Sequence, residues 1–139
     1  MTKIPVPLLA AALWWGSLTA IGFMAVPLLF AHLPTPAMAG NMAAQLFRAQ
    51  SWVSAGCAMV LLIYASKQAK AKEAQAQAAI ALIVFGLLCA LLGEYAVAPR
   101  IVARQNLRLW HSVGSVLYLL QWLCAGAVLW RVGRNSTAP

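Results

Sequence analysis

Four long apolar runs, separated by short polar or proline-bearing breaks, set the pattern of this chain. They cover about 6–30, 41–64, 78–97 and 106–130. Each holds roughly 20 or more residues, the length that a bilayer core about 30 Å thick demands at a rise of about 1.5 Å per residue. The pattern therefore predicts four transmembrane helices. Because the connections are short, it predicts an all-α, integral membrane four-helix up-down bundle, with residues 1–139 as a single domain.

The breaks are legible residue by residue. His32-Leu33-Pro34-Thr35-Pro36 forces the chain out of the first helix. Within that helix Pro27 is expected to produce a kink, since it cannot donate to the Phe23 carbonyl and clashes with it. Pro99 is expected to end the third helix. Ser66 to Gln77 (SKQAKAKEAQAQ) is rich in helix formers but has no apolar stripe, so it reads as a solvated helical hairpin or helix extension. The tail from Asn135 to Pro139 is expected to be disordered. Lys3 followed by Ile4 to Phe30 looks like a signal peptide, with Ala37-Met38-Ala39 as a small-residue cleavage site. The apolar run is much longer than the ~7–15 residues of a signal core, which predicts a retained first helix instead.

Composition sharpens this picture. With 63% hydrophobic and 9% charged residues, a soluble domain is excluded. The net charge of +8 points to membrane topology rather than nucleic acid, because the basic residues sit at the ends of apolar runs. Lys3, Lys67, Lys70, Lys72, Arg131 and Arg134 fall at one end of the bundle, against Arg48, Arg100, Arg104 and Arg108 at the other. The positive-inside rule then places the N and C termini in the cytoplasm. That gives a multi-pass protein of the cell inner membrane, its far end facing the periplasm or exterior. Cys57, Cys89 and Cys124 all lie inside apolar runs and are expected to be small packing residues rather than a disulfide framework.

Two polar stripes carry the candidate chemistry. Arg104, Arg108, His111, Ser115 and Tyr118 follow one another by four, three, four and three residues, which places them on one helical face. Asn41, Gln45, Arg48 and Trp52 do the same on the second helix. An arginine facing lipid at mid-bilayer costs roughly 2.5–3.5 kcal/mol on insertion scales, so both stripes are expected to face protein. The topology gathers them, with His32, Glu94 and Arg100, at the outer end. An Arg48–Glu94 ion pair is expected to bridge the second and third helices. One acid cannot neutralise four arginines, so the mouth stays cationic.

Asn41, Gln45, Arg48, Glu94, Arg100, Arg104, Arg108, His111, Ser115 and Tyr118 are accordingly the candidate binding residues for an anionic lipid headgroup or a carboxylate or phosphate ligand. A plainer alternative has Arg100, Arg104 and Arg108 meeting lipid phosphates and water, while Arg48, Glu94 and His111 form an internal network. His32 and His111 could instead ligate a metal or the iron of a haem. The small-residue seams Gly86, Ala90, Gly93 and Ser54 to Ala58 suit close helix contact. Turned outward, they would make an accessory or assembly subunit, in a homo-oligomer or with a membrane-protein partner. The chain has no Asp, and no set of nucleophile, base and orienting group assembles, so hydrolase or transferase chemistry is not expected.

Short motifs in order along the chain carry a family likeness. Trp15-Gly16 with Gly22-Phe23, Pro27-Leu28-Leu29-Phe30, Ala39-Gly40, Gln45-Leu46-Phe47, Gly56-Cys57-Ala58, Ala98-Pro99-Arg100, and Leu109-Trp110-His111 with Ser115 resemble the family of transmembrane protein 205 and its bacterial relatives. Those relatives are grouped as a domain of unknown function. The resemblance implies a four-helix membrane protein without established activity and draws attention to the His111 region. The chain departs from the family pattern at Tyr118, where an Asn is expected, and lacks the insert that eukaryotic members carry before the His. Glu94 belongs to none of the family motifs.

Overall fold

The computed structural model describes residues 3–69 and 74–137. Four helices make up the molecule: α1 (Val6–His32), α2 (Pro36–Ala69), α3 (Gln75–Val102) and α4 (Leu107–Thr137). All four are long and apolar enough to cross a membrane. No strand occurs among the described residues. α1 packs on α2 and α4, and α3 packs on the same two, so the helices form a closed ring in sequence order. This is an all-α up-down membrane bundle, with the start of α1 and the end of α4 at one end and the 33–35 and 103–106 connections at the other.

Local chemistry starts the second and fourth helices. The Thr35 hydroxyl accepts the Met38 N–H at 3.2 Å. The Asn106 side-chain oxygen accepts the Leu109 N–H at 3.4 Å. Both satisfy backbone donors that a first helical turn leaves without partners. The tight 103–106 turn takes Arg104 and Asn106 to φ values of 55° and 33°. A left-handed backbone is unusual for a residue with a Cβ, and Asn tolerates it best.

The prolines act differently from the simple breaks expected of them. In α1 the turn Ala20–Ala25 is widened to π geometry just ahead of Pro27, and the Val26 N–H bonds to the Ile21 carbonyl. In α3 the turn Gly93–Val97 is widened in the same way ahead of Pro99, with the Ala98 N–H on the Gly93 carbonyl. A wide turn re-aims the carbonyls that the proline ring would strike, so the helix absorbs the residue and continues. Pro99 therefore does not end α3, which runs on to Val102. The tail as far as Thr137 also differs from expectation, while 138–139 lie outside the described residues. α4 stays helical through Thr137, where Ser136 and Thr137 hydroxyls bond back to the carbonyls of Val132 and Gly133. Of the segment read as a solvated hairpin or extension, Ser66–Ala69 and 74–77 are helical, and 70–73, with Lys70 and Lys72, lie outside the described residues.

The core lies where Trp14 and Leu18 of α1 meet Ala58 and Leu61 of α2, Ile83 of α3, and Ala125 and Val128 of α4. Two glycines make room for tryptophans. A Cβ on Gly86 would lie 2.8 Å from Cη2 of Trp14, and one on Gly126 would lie 2.9 Å from Nε1 of Trp15. Close approach of this kind is how helices pack when lipid offers no hydrophobic drive for association. Trp15 also stacks on Trp122 of α4, with ring centroids 5.7 Å apart. Cys57, Cys89 and Cys124 are buried free thiols.

Candidate functional site

Four of the six arginines, Arg48, Arg100, Arg104 and Arg108, lie toward the loop end. Arg48 of α2 and Glu94 of α3 form an ion pair, Nε to Oε1 at 3.3 Å, in which the guanidinium side chain is 65% exposed and the carboxylate 14%. The acid is thus sheltered by the helices while the base reaches outward, as a long cationic side chain does near a membrane surface. Arg100 lies over the Trp110 ring, its guanidinium carbon 4.7 Å from the ring centre, and also bonds to the Ala96 carbonyl. That contact ties the end of α3 to the start of α4. Arg104 sits in the turn rather than on α4, so the helical phase that aligned it with Arg108 is broken.

The remaining candidates are distributed around this end. Asn41, Gln45, Arg108, His111 and Ser115 are all exposed. Among the described residues none of them hydrogen-bonds to the Arg48–Glu94 pair. His32, the last residue of α1, is exposed, and its Nδ1 lies 3.1 Å from the Leu28 carbonyl, a contact that puts the proton on Nδ1. No group of three or more His, Cys, Asp or Glu side chains gathers at metal-binding range among the described residues. Tyr118 alone of its stripe turns inward. Its hydroxyl donates to the Leu18 carbonyl, its ring packs edge-to-face with Phe47 at a centroid separation of 5.5 Å, and it covers Gly22.

Helical phase explains the split. On α2 the buried positions are Ala39, Ala43, Gln50, Ser54, Cys57, Ala58, Leu61 and Ala65. Gln50 is two residues from both Arg48 and Trp52, a turn of about 200° on the helix, so the stripe of Asn41, Gln45, Arg48 and Trp52 looks away from the core. Trp52 is 71% exposed. On α4 the buried face is Gln121, Cys124, Ala125 and Val128, which leaves Arg108, His111 and Ser115 on its flank.

The polar centre that the pattern did not single out lies deeper. The Gln121 side-chain oxygen accepts two bonds, from the Trp14 indole at 3.1 Å and from the Ser54 hydroxyl at 2.8 Å. The Gln50 amide donates to Ser17 at 2.9 Å and to Ser54 at 3.3 Å. Ser17 in turn donates to the Trp14 carbonyl at 3.0 Å. Beside it, the Trp122 indole donates to Thr19 at 2.9 Å, and Thr19 to the Trp15 carbonyl at 2.8 Å. These contacts join α1, α2 and α4. Counting along α4, Gln121 stands about 20 Å from Arg108 and about 15 Å from Arg131, near mid-span. Every buried side-chain nitrogen and oxygen among the described residues has a partner. The sequence does hold a signal for this network: Gln50 and Gln121 fall in register with the small inward residues Ser54, Cys57, Cys124 and Ala125. Its members are neutral donors and acceptors that satisfy one another, which suits the network to fixing helix register.

The seams divide as well. Gly86, Ala90, Ser54, Cys57 and Ala58 are used inside the bundle, while Gly56 and Gly93 open onto free space. Fold and site together define a small multi-pass membrane protein built as a four-helix ring, sealed by hydrogen bonds at its centre and cationic at its loop end. The chain belongs to the family described as Domain of unknown function (DUF4149), whose model matches residues 9–109. Neither a curated protein nor a solved structure matches it. The matched region takes in α1, α2, α3 and only the first residues of α4.

Proposed function

We propose that the protein engages anionic groups at its loop end, binding a lipid headgroup phosphate or a free carboxylate or phosphate through Arg48, Arg100, Arg104 and Arg108. The observation that carries this reading is the exposure of all four arginines toward the loop end, where the acid Glu94 is sheltered and already paired with Arg48. Arginine suits the role because its planar fork matches carboxylate and phosphate oxygens two at a time. All four side chains are exposed, an open collar that suits a headgroup held at the membrane surface. In this reading the termini are cytoplasmic and the collar lies on the outer face of a bacterial inner membrane, supported by the lysine and arginine distribution. Kinship with the transmembrane protein 205 family is part of the same proposal, supported by Pro99-Arg100 and Leu109-Trp110-His111 at the collar. An accessory-subunit role would draw on the open Gly56 and Gly93 instead.

The test is lipid retention. Protein reconstituted in an equal mixture of phosphatidylglycerol and phosphatidylcholine, then extracted with its tightly held lipids, is expected to retain phosphatidylglycerol in excess. Replacing Arg100, Arg104 and Arg108 together by Gln should remove the excess. Equilibrium dialysis against inorganic phosphate identifies a small-anion source if binding appears there instead. Neither lipid enrichment nor phosphate binding is the result that would sink the reading.

A further inference from the structure

At the opposite end, where α1 starts and α4 finishes, the four helices surround a cavity of about 540 Å³. Its floor is apolar and drawn from three helices: Leu61 and Ala65 of α2, Ala79 and Ile83 of α3, and Val128 of α4. Leu61, Ile83 and Val128 are no more than 2% exposed, so the cavity stops at the core instead of passing through it. Its rim is polar: Gln68, Gln75, Arg131, Arg134, Asn135 and Ser136. None of the described lining residues is acidic. Along the helices Arg134 stands about 9 Å above Val128, and Gln75 about 12 Å above Ile83, which sets the depth of the apolar part. The size falls within the roughly 300–1,000 Å³ typical of small-molecule sites.

A second concavity supports the same ligand. An apolar groove of about 560 Å³ runs between α1 and α4, lined by Leu8, Trp15, Gly126 and Leu129. Trp130 and Arg134 line both it and the inner cavity. The cavity thus shares a wall with a groove that opens on the lipid side of the bundle. Arg131 and Arg134 are three residues apart, neighbours on one helical face.

We propose that this cavity binds a single-chain anionic amphiphile, with its aliphatic tail against the Leu61–Ile83–Val128 floor and its carboxylate or phosphate held by Arg131 and Arg134. An apolar floor under a cationic rim matches both halves of such a molecule. A fully polar solute would leave the floor uncovered, and an uncharged hydrocarbon would leave the arginines idle. The site is independent of the collar at the loop end and uses none of its residues.

The experiment uses the full chain in phosphatidylcholine nanodiscs and, as probe, dodecanoic acid carrying a photoreactive diazirine in its tail. Peptide mapping should find the label in 61–68, 76–83 and 128–136. Unlabelled dodecanoate or dodecanoyl lysophosphatidate should displace it, and the better competitor identifies the head. Arg131→Gln with Arg134→Gln should weaken labelling about tenfold, the loss of one charge-assisted contact or more. Ala79→Phe, which places a ring in the apolar part of the cavity, should reduce it sharply, while the Gln variants of Arg100, Arg104 and Arg108 leave it unchanged. Labelling spread over the lipid-facing Phe85, Leu88, Leu119 and Leu123, or indifferent to both cavity variants, would overturn the proposal.

Discussion

At the scale of single residues, the weight of this molecule rests on one amide. Gln121 accepts from Trp14 and Ser54, which belong to two different helices. Replacing it by leucine of similar size keeps the volume but strands an indole N–H and a hydroxyl where no water can reach them. Interhelical hydrogen bonds in membranes average only about 0.6 kcal/mol and reach about 1.7, so two lost acceptor contacts should destabilise the bundle by about 1–2 kcal/mol. Unfolding of Gln121→Leu by dodecyl sulfate in mixed micelles measures this. An unchanged midpoint would mean that the two donors find other acceptors. The Arg48–Glu94 pair is a smaller matter for stability, because the guanidinium is mostly exposed and such pairs contribute about 0–1 kcal/mol.

At the scale of helices, two glycines that look alike in the sequence have opposite jobs. Gly86 lies on the α3 face that receives Trp14, whereas Gly56 on α2 has nothing within 4 Å of where its Cβ would stand. Gly86→Ala should cost about 1–3 kcal/mol, since Trp14 is fully buried, tethered to Gln121 and has no room to move. Gly56→Ala should be neutral or stabilising by up to about 1 kcal/mol through helix propensity alone. Detergent-unfolding midpoints of the two variants should therefore move apart; a common shift would refute the assignment of faces. The prolines teach a related lesson. Pro27 and Pro99 announce a disturbance in the pattern, but whether a helix ends or widens depends on whether neighbouring helices hold the chain beyond it. In α3 the widened turn Gly93–Val97 makes room for Pro99, and beyond it Arg100 lies against Trp110 of α4.

At the scale of the whole molecule, the ring is closed by α4, most of which lies beyond the matched residues 9–109. α4 supplies Gln121 to the central network, Trp122 to Thr19 and Trp15, and Val128 to the core. A chain ended after residue 109 should therefore fail to fold, with Trp14 and Ser54 left facing lipid without their acceptor. Expression of that shortened chain, with the full chain as control, followed by protease digestion in membranes, checks this. Equal protection of both would show that three helices suffice.

The number of helices, their membrane character and the cationic ends were readable from the chain, because run length, hydropathy and charge placement are properties of each segment alone. The Arg48–Glu94 contact was readable too, since only one acid lay within reach of that arginine. The direction each stripe faces was not. Asn41, Gln45, Arg48 and Trp52 repeat at helical spacing whichever way the helix is rotated, and only contact with Trp14 and Gln121 decides that Gln50 and Ser54 point inward. Periodicity defines a face; packing chooses its neighbour. In a bilayer that choice falls to the small residues and hydrogen bonds that let helices approach, because lipid rewards the burial of an apolar face hardly more than its exposure.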